Sequence, residues 1–528
     1  MRLKYSWVLA FMLAGCQLNQ PPSSTDTTPE TNQPPEKSTV SEVVKPSKPE
    51  PSKVAEQPIP VPKVITPQEQ DDVWQRIAMQ LEMSIPKHKK VDYYRTWYLK
   101  HPGHLKTVSE RAKPFLYLIT ERIEARGLPL ELALLPIVES SFDPFAYSHG
   151  SASGLWQFVS ATGKMYGLDQ SYWYDGRRDV LAATDAALDF LTDLNERFDG
   201  NWHHAIAAYN SGGGRVSSAI RKNRKAGKAI DFFSLDLPKE TSSYVPKLLA
   251  LADIVKNQKK YGIDIPLIAN EPVLVSVDPK EQLDLAIAAQ YAGIETKTLQ
   301  GYNPAYNQWS TAPEGPHQLL IPVESQARFM TELEANRGKG VKLVRYKVKS
   351  GDAISLLAKR FNTTSELIRK ANGLSNNTIQ AGKYLLIPNS VQSDSDYALT
   401  ANNRLEKTQT QARGEIKLSH VVKSGDSLWS IAKANKVSHQ SLAKWNGMGP
   451  KDTLRIGQKL VIWKKSTDGA VIRTVFYKVR SGDTISHIAS KFKVKGNDIV
   501  QWNSLHNQKY LKPGQQLKLY VDVTKVSV

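Results

Sequence analysis

The chain has 528 residues and 40% of them are apolar, enough for globular cores, while 30 prolines point to substantial linker; at about 100–200 residues per domain, several units are expected. Its net charge of +19 is segregated: residues 341–528 carry about +20 and residues 1–340 about −1. The basic surface therefore belongs to the C-terminal third, where it favours a polyanionic partner, and nucleic acid, anionic wall polymer and lipid headgroups all meet that description. A single cysteine, Cys16, excludes an intrachain disulfide.

From the N-terminus, the basic start Met1-Arg2-Leu3-Lys4 precedes an apolar or small run, Tyr5 to Gly15. At 11 residues this run falls short of the ~20 that cross a bilayer as a helix, and it reads as the core of a secretory signal peptide, residues 1–15. The run ends in Leu13-Ala14-Gly15-Cys16, which resembles the lipobox of bacterial lipoproteins. That resemblance implies removal of the preceding peptide and acylation of Cys16, an anchor that holds firmly when two or more acyl chains are present. Gln17 at the following position implies, by resemblance to enterobacterial sorting, the periplasmic face of the outer membrane of a Gram-negative bacterium. The alternative is an ordinary signal peptide with a chance cysteine. Residues 16–71 are rich in Pro, Ser, Thr, Glu and Lys and poor in aromatics, the composition of a disordered tether.

Apolar density rises at Asp71-Asp72-Val73-Trp74, and a helical pattern follows to about residue 265. One helix is expected over Leu130 to Glu139 and another over Asp179 to Phe198, where Leu181, Ala182, Asp185, Leu188, Leu191 and Leu194 recur at helical spacing. Glu139 closes the first among Leu132, Leu135, Ile137 and Val138. A carboxyl in such surroundings has a raised pKa, which suits a general acid. The bland reading of a lone Glu, a helix-end residue satisfying backbone groups, competes with this.

Glu139-Ser140-Ser141-Phe142-Asp143-Pro144, Ser148, Gly154-Leu155-Trp156-Gln157-Phe158, Ala208-Tyr209-Asn210-Ser211-Gly212 and Glu240-Thr241-Ser242-Ser243-Tyr244-Val245 occur in that order. The series resembles the soluble lytic transglycosylase catalytic domain, a relative of goose-type lysozyme, over residues 72–265. The resemblance implies a mainly α, lysozyme-like (α+β) domain in which Glu139 is the one catalytic acid/base. Ser148, Gln157, Tyr209, Asn210 and Tyr244 are implied as substrate-binding or supporting residues. Trp156 stands where many relatives have Met, which puts the saccharide-stacking role of the position in doubt. The implied chemistry cleaves the β-1,4 bond between N-acetylmuramic acid and N-acetylglucosamine and closes a 1,6-anhydromuramoyl ring, with the C6 hydroxyl as nucleophile in place of water. A conventional glycosidase uses two carboxylates; Asp143 is the nearest candidate, but Pro144 forces it toward an extended backbone, so it is expected to shape a turn. No cofactor is expected, and His203-His204, adjacent on a helix, point different ways and suggest no metal site.

The C-terminal third repeats. Tyr346-Lys347-Val348-Lys349-Ser350-Gly351-Asp352, His420-Val421-Val422-Lys423-Ser424-Gly425-Asp426 and Tyr477-Lys478-Val479-Arg480-Ser481-Gly482-Asp483 align. Each is followed by an Asn 21 positions after the Gly (Asn372, Asn446, Asn503) and a second Gly at 31 or 32 (Gly382, Gly457, Gly514). The grammar is strand, turn, helix, helix, strand, with the Asp near a helix N-terminus. It resembles the LysM domain, a small βααβ fold that binds N-acetylglucosamine-containing glycan, at 344–389, 419–463 and 476–521. A polar linker, Ser390 to Lys417, separates the first two. Residues 270–325 resemble a degenerate copy, with Asn303 in the Asn position and no Ser-Gly-Asp. The partners implied are peptidoglycan glycan strands and the outer membrane, not nucleic acid. The competing readings are a hydrolytic muramidase on the same fold and a non-catalytic wall-binding scaffold.

Overall fold

The computed structural model describes residues 65–148, 150–464, 472–505 and 510–522. The chain divides into two units, Met1–Lys63 and Val64–Val528, and all described residues lie in the second. Cys16, the signal peptide and most of the expected tether fall outside them. The end of that tether is ordered: Pro67–Glu69 forms a 3-10 turn, and the Asn270 amide holds the Gln70 carbonyl at 2.8 Å.

From Val73 to Tyr261 the chain is helical, and its β content among the described residues consists of isolated bridges, including Tyr147 to Ser153 and Ser153 to Phe158. The helix Thr241–Lys256 runs through the middle of the core, with Val245, Leu248, Leu249, Leu251 and Ile254 buried, and packs on the helices Lys89–Lys100, Trp202–Ser211 and Leu135–Ser140. Pro246 within it has no N–H to return to the Ser242 carbonyl, which instead accepts the Lys90 ammonium at 3.1 Å. The helix expected over Asp179 to Phe198 is present as Val180–Arg197, capped by the Asp179 carboxylate on the Leu181 and Ala182 N–H groups. The expected Leu130 to Glu139 helix is two pieces: a 3-10 segment Leu130–Leu134, then an α-helix Leu135–Ser140 with Pro136 in its first turn. Proline tolerates a first helical turn but breaks an interior one, so the apolar run bends there.

Among the described residues four two-stranded antiparallel sheets follow, each closing a strand–helix–helix–strand unit. Their paired strands are Leu274–Val277 with Leu319–Pro322, Lys342–Lys347 with Tyr384–Asn389, Ile416–Val421 with Lys459–Lys464, and Ile472–Lys478 with Gln516–Asp522. The recurrent Asn has the same task in all four. Asn372, Asn446 and Asn503 each donate to a carbonyl one helical turn back and to one on the last strand, and accept that strand residue's N–H. Asn303 makes the identical set with Leu299 and Leu320. The first of these units also carries an unanticipated extra helix, Gln326–Ala335, packed on its helix Leu285–Ala292.

The Asp of Ser-Gly-Asp stands beside the helix N-terminus, as expected, and the cap itself is the next residue, Ala353, Ser427 or Thr484. Asp352, Asp426 and Asp483 take the N–H of Lys349, Lys423 and Arg480, three residues back, and the side chain of Tyr346, His420 or Tyr477 on the first strand. The polar linker Ser390 to Lys417 is also structured, with a helix Ala401–Thr410. Tyr397, 1% exposed, enters the core around Leu285, Ala289 and Trp309. Its hydroxyl donates to the fully buried Asp284 carboxylate (2.8 and 2.9 Å), which also accepts the Val391 N–H.

Replacing Asn446 by Ala orphans the Leu442 carbonyl and both backbone groups of Val461. Unpaired buried polar groups cost about 1–3 kcal/mol, so Asn446→Ala should speed amide hydrogen exchange across Lys459–Lys464 and leave Thr241–Lys256 unchanged.

Candidate active site

A cleft of about 620 Å³ opens on the helical domain, lined by Val138, Glu139, Ser148, Gln157, Phe158, Phe190, Tyr209, Asn210, Glu240, Tyr244 and Lys247 among others. Six positions singled out in the sequence thus meet in one place. They come from four places: the end of Leu135–Ser140, the turns between 145 and 158, and the facing ends of Trp202–Ser211 and Thr241–Lys256.

Glu139 sits in the last turn of its helix, half-buried at the cleft floor. The Tyr244 hydroxyl donates to its Oε1. Burial pushes the carboxyl up to about 7; the Tyr244 hydrogen bond works against burial, the Glu240 charge works with it, and Lys247 opposes it. Tyr244 and Tyr209 are themselves driven well above the ordinary phenol range by burial and then by the nearby Glu139 charge, so both remain hydroxyl donors. Tyr209 donates to the Trp156 carbonyl at 2.8 Å, and Phe190 and Phe158 flank its ring. Asn210 is held by the Thr241 hydroxyl on its Oδ1, at 2.8 Å.

Opposite lies the turn of the isolated bridges. Ser148 Oγ accepts the N–H groups of Gly150 and Ala152 at 3.2 and 3.1 Å, which fixes the turn while the side chain faces the cleft. Gln157, at φ 50°, donates its amide to the Gly154 carbonyl at 2.8 Å. Gly154 has φ +82°, and a Cβ there would lie 2.0 Å from the Arg177 carbonyl; this close crossing of two backbones is why the Gly-Leu-Trp-Gln segment begins with glycine.

For Trp156 the doubt over sugar stacking is borne out. It is fully buried, with Nε1 donating to Thr184 Oγ1 at 3.0 Å, so its ring belongs to the core and cannot stack on a sugar. Asp143 lies outside the cleft lining, and its carboxylate accepts the Phe145 N–H at 2.9 Å, the turn role expected of it. Two charged lining residues were missed. Lys247 lies three residues, one helical turn, beyond Tyr244, a spacing that could have found it. Glu240 opens the quoted motif, exposed at the helix start, but nothing in its neighbourhood on the chain singled it out.

Comparison with known proteins places these features. Residues 118–232 match the Transglycosylase SLT domain, residues 346–388, 420–463 and 477–519 match the LysM domain, and residues 273–337 match the LysM-like domain of lytic transglycosylase MltD. A helical lysozyme-like domain with this cleft, followed by LysM units, defines a modular peptidoglycan lytic transglycosylase. Membrane-bound lytic murein transglycosylase D of Escherichia coli strain K12 is 36% identical over 410 residues, covering 75% of this chain and 86% of the relative. The chain belongs to the membrane-bound lytic murein transglycosylase D family. The autolysin of Enterococcus faecalis is 28% identical over 172 residues, 30% of this chain and 22% of that one. Among solved structures, lytic transglycosylase Slt of Pseudomonas aeruginosa matches with 24% identity and a TM-score of 0.22, over 28% of this chain and 25% of that one. Glu240, Tyr244 and Lys247 lie beyond the matched SLT span.

The raised Glu139 pKa has a consequence for stability. Its ordinary value is 4.5 and its folded value about 7, so the folded state binds the extra proton between those limits, and stability falls as pH rises through that window. Glu139→Gln abolishes this loss. The variant should exceed wild type in denaturant midpoint most clearly near about pH 8, with the gain shrinking toward about pH 5.

Proposed function

We propose that Glu139 is the single acid/base of a lytic transglycosylase acting on the N-acetylmuramic acid–N-acetylglucosamine bond of peptidoglycan. The observation that carries this reading is a carboxyl with a pKa of about 7 at the floor of an aromatic-lined cleft, hydrogen-bonded by Tyr244. Near neutral pH both its acid and its base form are populated, which a group serving two successive proton transfers needs. Glu139 gives its proton to the glycosidic oxygen as the bond from that oxygen to C1 of the muramoyl residue breaks. The electron pair leaves with the N-acetylglucosamine, and the muramoyl 2-acetamido oxygen supports the positive C1. The Glu139 carboxylate then takes the proton of the C6 hydroxyl as that oxygen bonds to C1, closing the 1,6-anhydro ring. A nucleophile carried on the substrate has a large effective molarity. Ser148 faces the acetamido group, Gln157 and Asn210 hold sugar hydroxyls and amides, and Tyr209 and Tyr244 keep the acid oriented.

One observation favours a second reading. Glu240 lines the same cleft and is exposed, so it could serve as a base for water, giving hydrolysis. The oxygen source decides between them. Digestion of sacculi in heavy-oxygen water should yield unlabelled anhydromuramoyl ends, lighter by one water than the hydrolytic product; labelled reducing ends as the main product would establish the muramidase. Glu139→Gln should cut turnover at least the ~10²–10⁴-fold typical of acid–base catalysis, while Asp143→Asn should be mild. Wild-type activity should decline as pH rises through about 7, because the acid form is lost. Glu240→Gln should keep the anhydro product and move that limb to lower pH, since removing a negative charge favours ionised Glu139.

The LysM units are read as the wall-binding part, supported by their basic charge and by exposed aromatics such as Trp429, Phe476 and Tyr510. We read Cys16 as the acylated anchor to the outer membrane, on the strength of Leu13-Ala14-Gly15-Cys16 and Gln17. Among the described residues no helix is long and apolar enough to cross a membrane. Cys16→Ala should leave the protein uncleaved or soluble on cell fractionation; outer-membrane recovery equal to wild type would remove the anchor.

A further inference from the structure

The second LysM unit touches the rim of the catalytic cleft. Its loop between the helix His439–Trp445 and the strand Lys459–Lys464 carries Asp452. One carboxylate oxygen of Asp452 accepts the Tyr147 hydroxyl at 2.9 Å and the other accepts the Ser151 hydroxyl. The first oxygen also takes the Gly449 N–H at 2.9 Å, so the carboxylate is fixed within its own loop. Tyr147 and Ser151 bracket Ser148, whose N–H donates to the Ala152 carbonyl and whose own carbonyl accepts the Ser151 N–H. From inside the catalytic domain, the Arg177 guanidinium holds the Ser151 carbonyl at 2.9 Å and pairs with Asp175. The linker helix adds a second outside brace: the Arg404 guanidinium lies 4.7 Å from the centre of the Phe145 ring, at the start of the same turn.

The arrangement has a physical logic. The segment that carries Ser148 is narrow, its bridges are isolated ones, and Tyr147, Ser148, Gly150 and Ser151 are exposed or half-buried, so it cannot by itself hold a hydroxyl to within the fraction of an ångström that a developing charge requires. Hydrogen bonds to a charged acceptor are among the stronger polar contacts, and a single carboxylate spanning both sides of Ser148 fixes its position and orientation together.

We propose that Asp452 is a positioning residue for the reaction, acting through Tyr147 and Ser151 on Ser148, so that the second LysM unit completes the active site as well as binding wall. The proposal rests on the reading of Ser148 as a substrate contact in the cleft. It makes the LysM units unequal: the second serves catalysis even on a substrate that needs no tether.

The test uses the full chain and a soluble, peptide-free glycan strand of alternating N-acetylglucosamine and N-acetylmuramic acid. Steady-state kinetics, denaturant midpoint and retention on sacculi are measured in parallel. Asp452→Ala should lower kcat about ten-fold, as expected for slight misplacement of a contacting group, with KM, midpoint and sacculus retention close to wild type. Asp452→Asn, which keeps an oxygen acceptor for Tyr147, should recover most of the rate. Tyr147→Phe should lose rate like Asp452→Ala, and the double variant should be no slower than either single one, the signature of one shared interaction. A wild-type kcat for Asp452→Ala, additive losses in the double variant, or a rate loss matched by lower sacculus retention would each overturn the proposal, the last by making Asp452 only a wall-binding residue. Glu139→Gln run beside these separates the two levels: activity surviving there sinks the reading of the site, whereas its loss together with an unaffected Asp452→Ala sinks the positioning role alone.

Discussion

A carboxyl kept out of water is the constraint around which the catalytic domain is organised. Glu139 sits in the last turn of a short helix, after the apolar residues Leu135, Pro136, Ile137 and Val138, and the domain's central helix delivers the Tyr244 hydroxyl to it. Burial would otherwise drive the group fully neutral; the phenol donor and Lys247 restrain the rise, leaving a pKa where proton gain and loss are both accessible. That balance demands a rigid frame, because a small change in burial or donor distance shifts it. The frame is supplied by a helix buried along most of its length, by a glycine crossing that admits no side chain, and by a proline whose missing hydrogen bond is replaced by Lys90.

How much of this could be read from the chain depended on the range of the interaction. Helical periodicity identified Asp179 to Phe198 because Leu188, Leu191 and Leu194 enter one core, although Leu181 and Ala182 of the same face are half-buried and Asp185 pairs with Arg122 and Arg126 near the surface. The motifs around Glu139, Gln157 and Tyr209-Asn210 were legible because each is local and their order is informative. Trp156 stayed ambiguous in the sequence because nothing local says which way its ring points: the ring goes inward to Thr184, while Gln157 beside it lines the cleft. The linker after the first LysM unit read as polar spacer because its buried anchoring side chain, Tyr397, is paired with Asp284, 113 positions earlier. No periodicity records a contact of that kind. Glu240 was hidden for the same reason, since its relation to Glu139 exists only across the cleft.

The LysM units show what a repeat retains. The asparagine that staples the second helix to the last strand recurs even in the copy that has lost Ser-Gly-Asp, because one side chain there serves three backbone groups at once. The surface aromatics and loops vary around it. The units have additional attachments, the first LysM unit accepting the Trp309 Nε1 on its Asn362 carbonyl at 2.8 Å. The LysM-like unit meets the helical domain where the Asp175 N–H donates to the Ala305 carbonyl and the Asn307 N–H to the Trp173 carbonyl. The second LysM unit is held by the linker helix through Gln409 on Asn446 and by Asp452 on the catalytic rim.

Tyr397 also has a bearing on how the molecule comes to be made. The LysM-like unit is built from residues 273–337, but its core is closed by a side chain that emerges from the ribosome only after the whole first LysM repeat has been synthesised. Until then Asp284 is a carboxylate in an apolar setting without its phenol partner, and the unit has a gap where the ring belongs. Contacts of this span are slow to form because a long loop must first close. The first LysM repeat folds inside that loop, so its own collapse shortens the distance the strap must search. The final set of the middle of the chain is therefore a late event, governed by a residue in what looks like spacer. A protease cut just before Tyr397 would reach back and loosen a unit whose own segment is untouched.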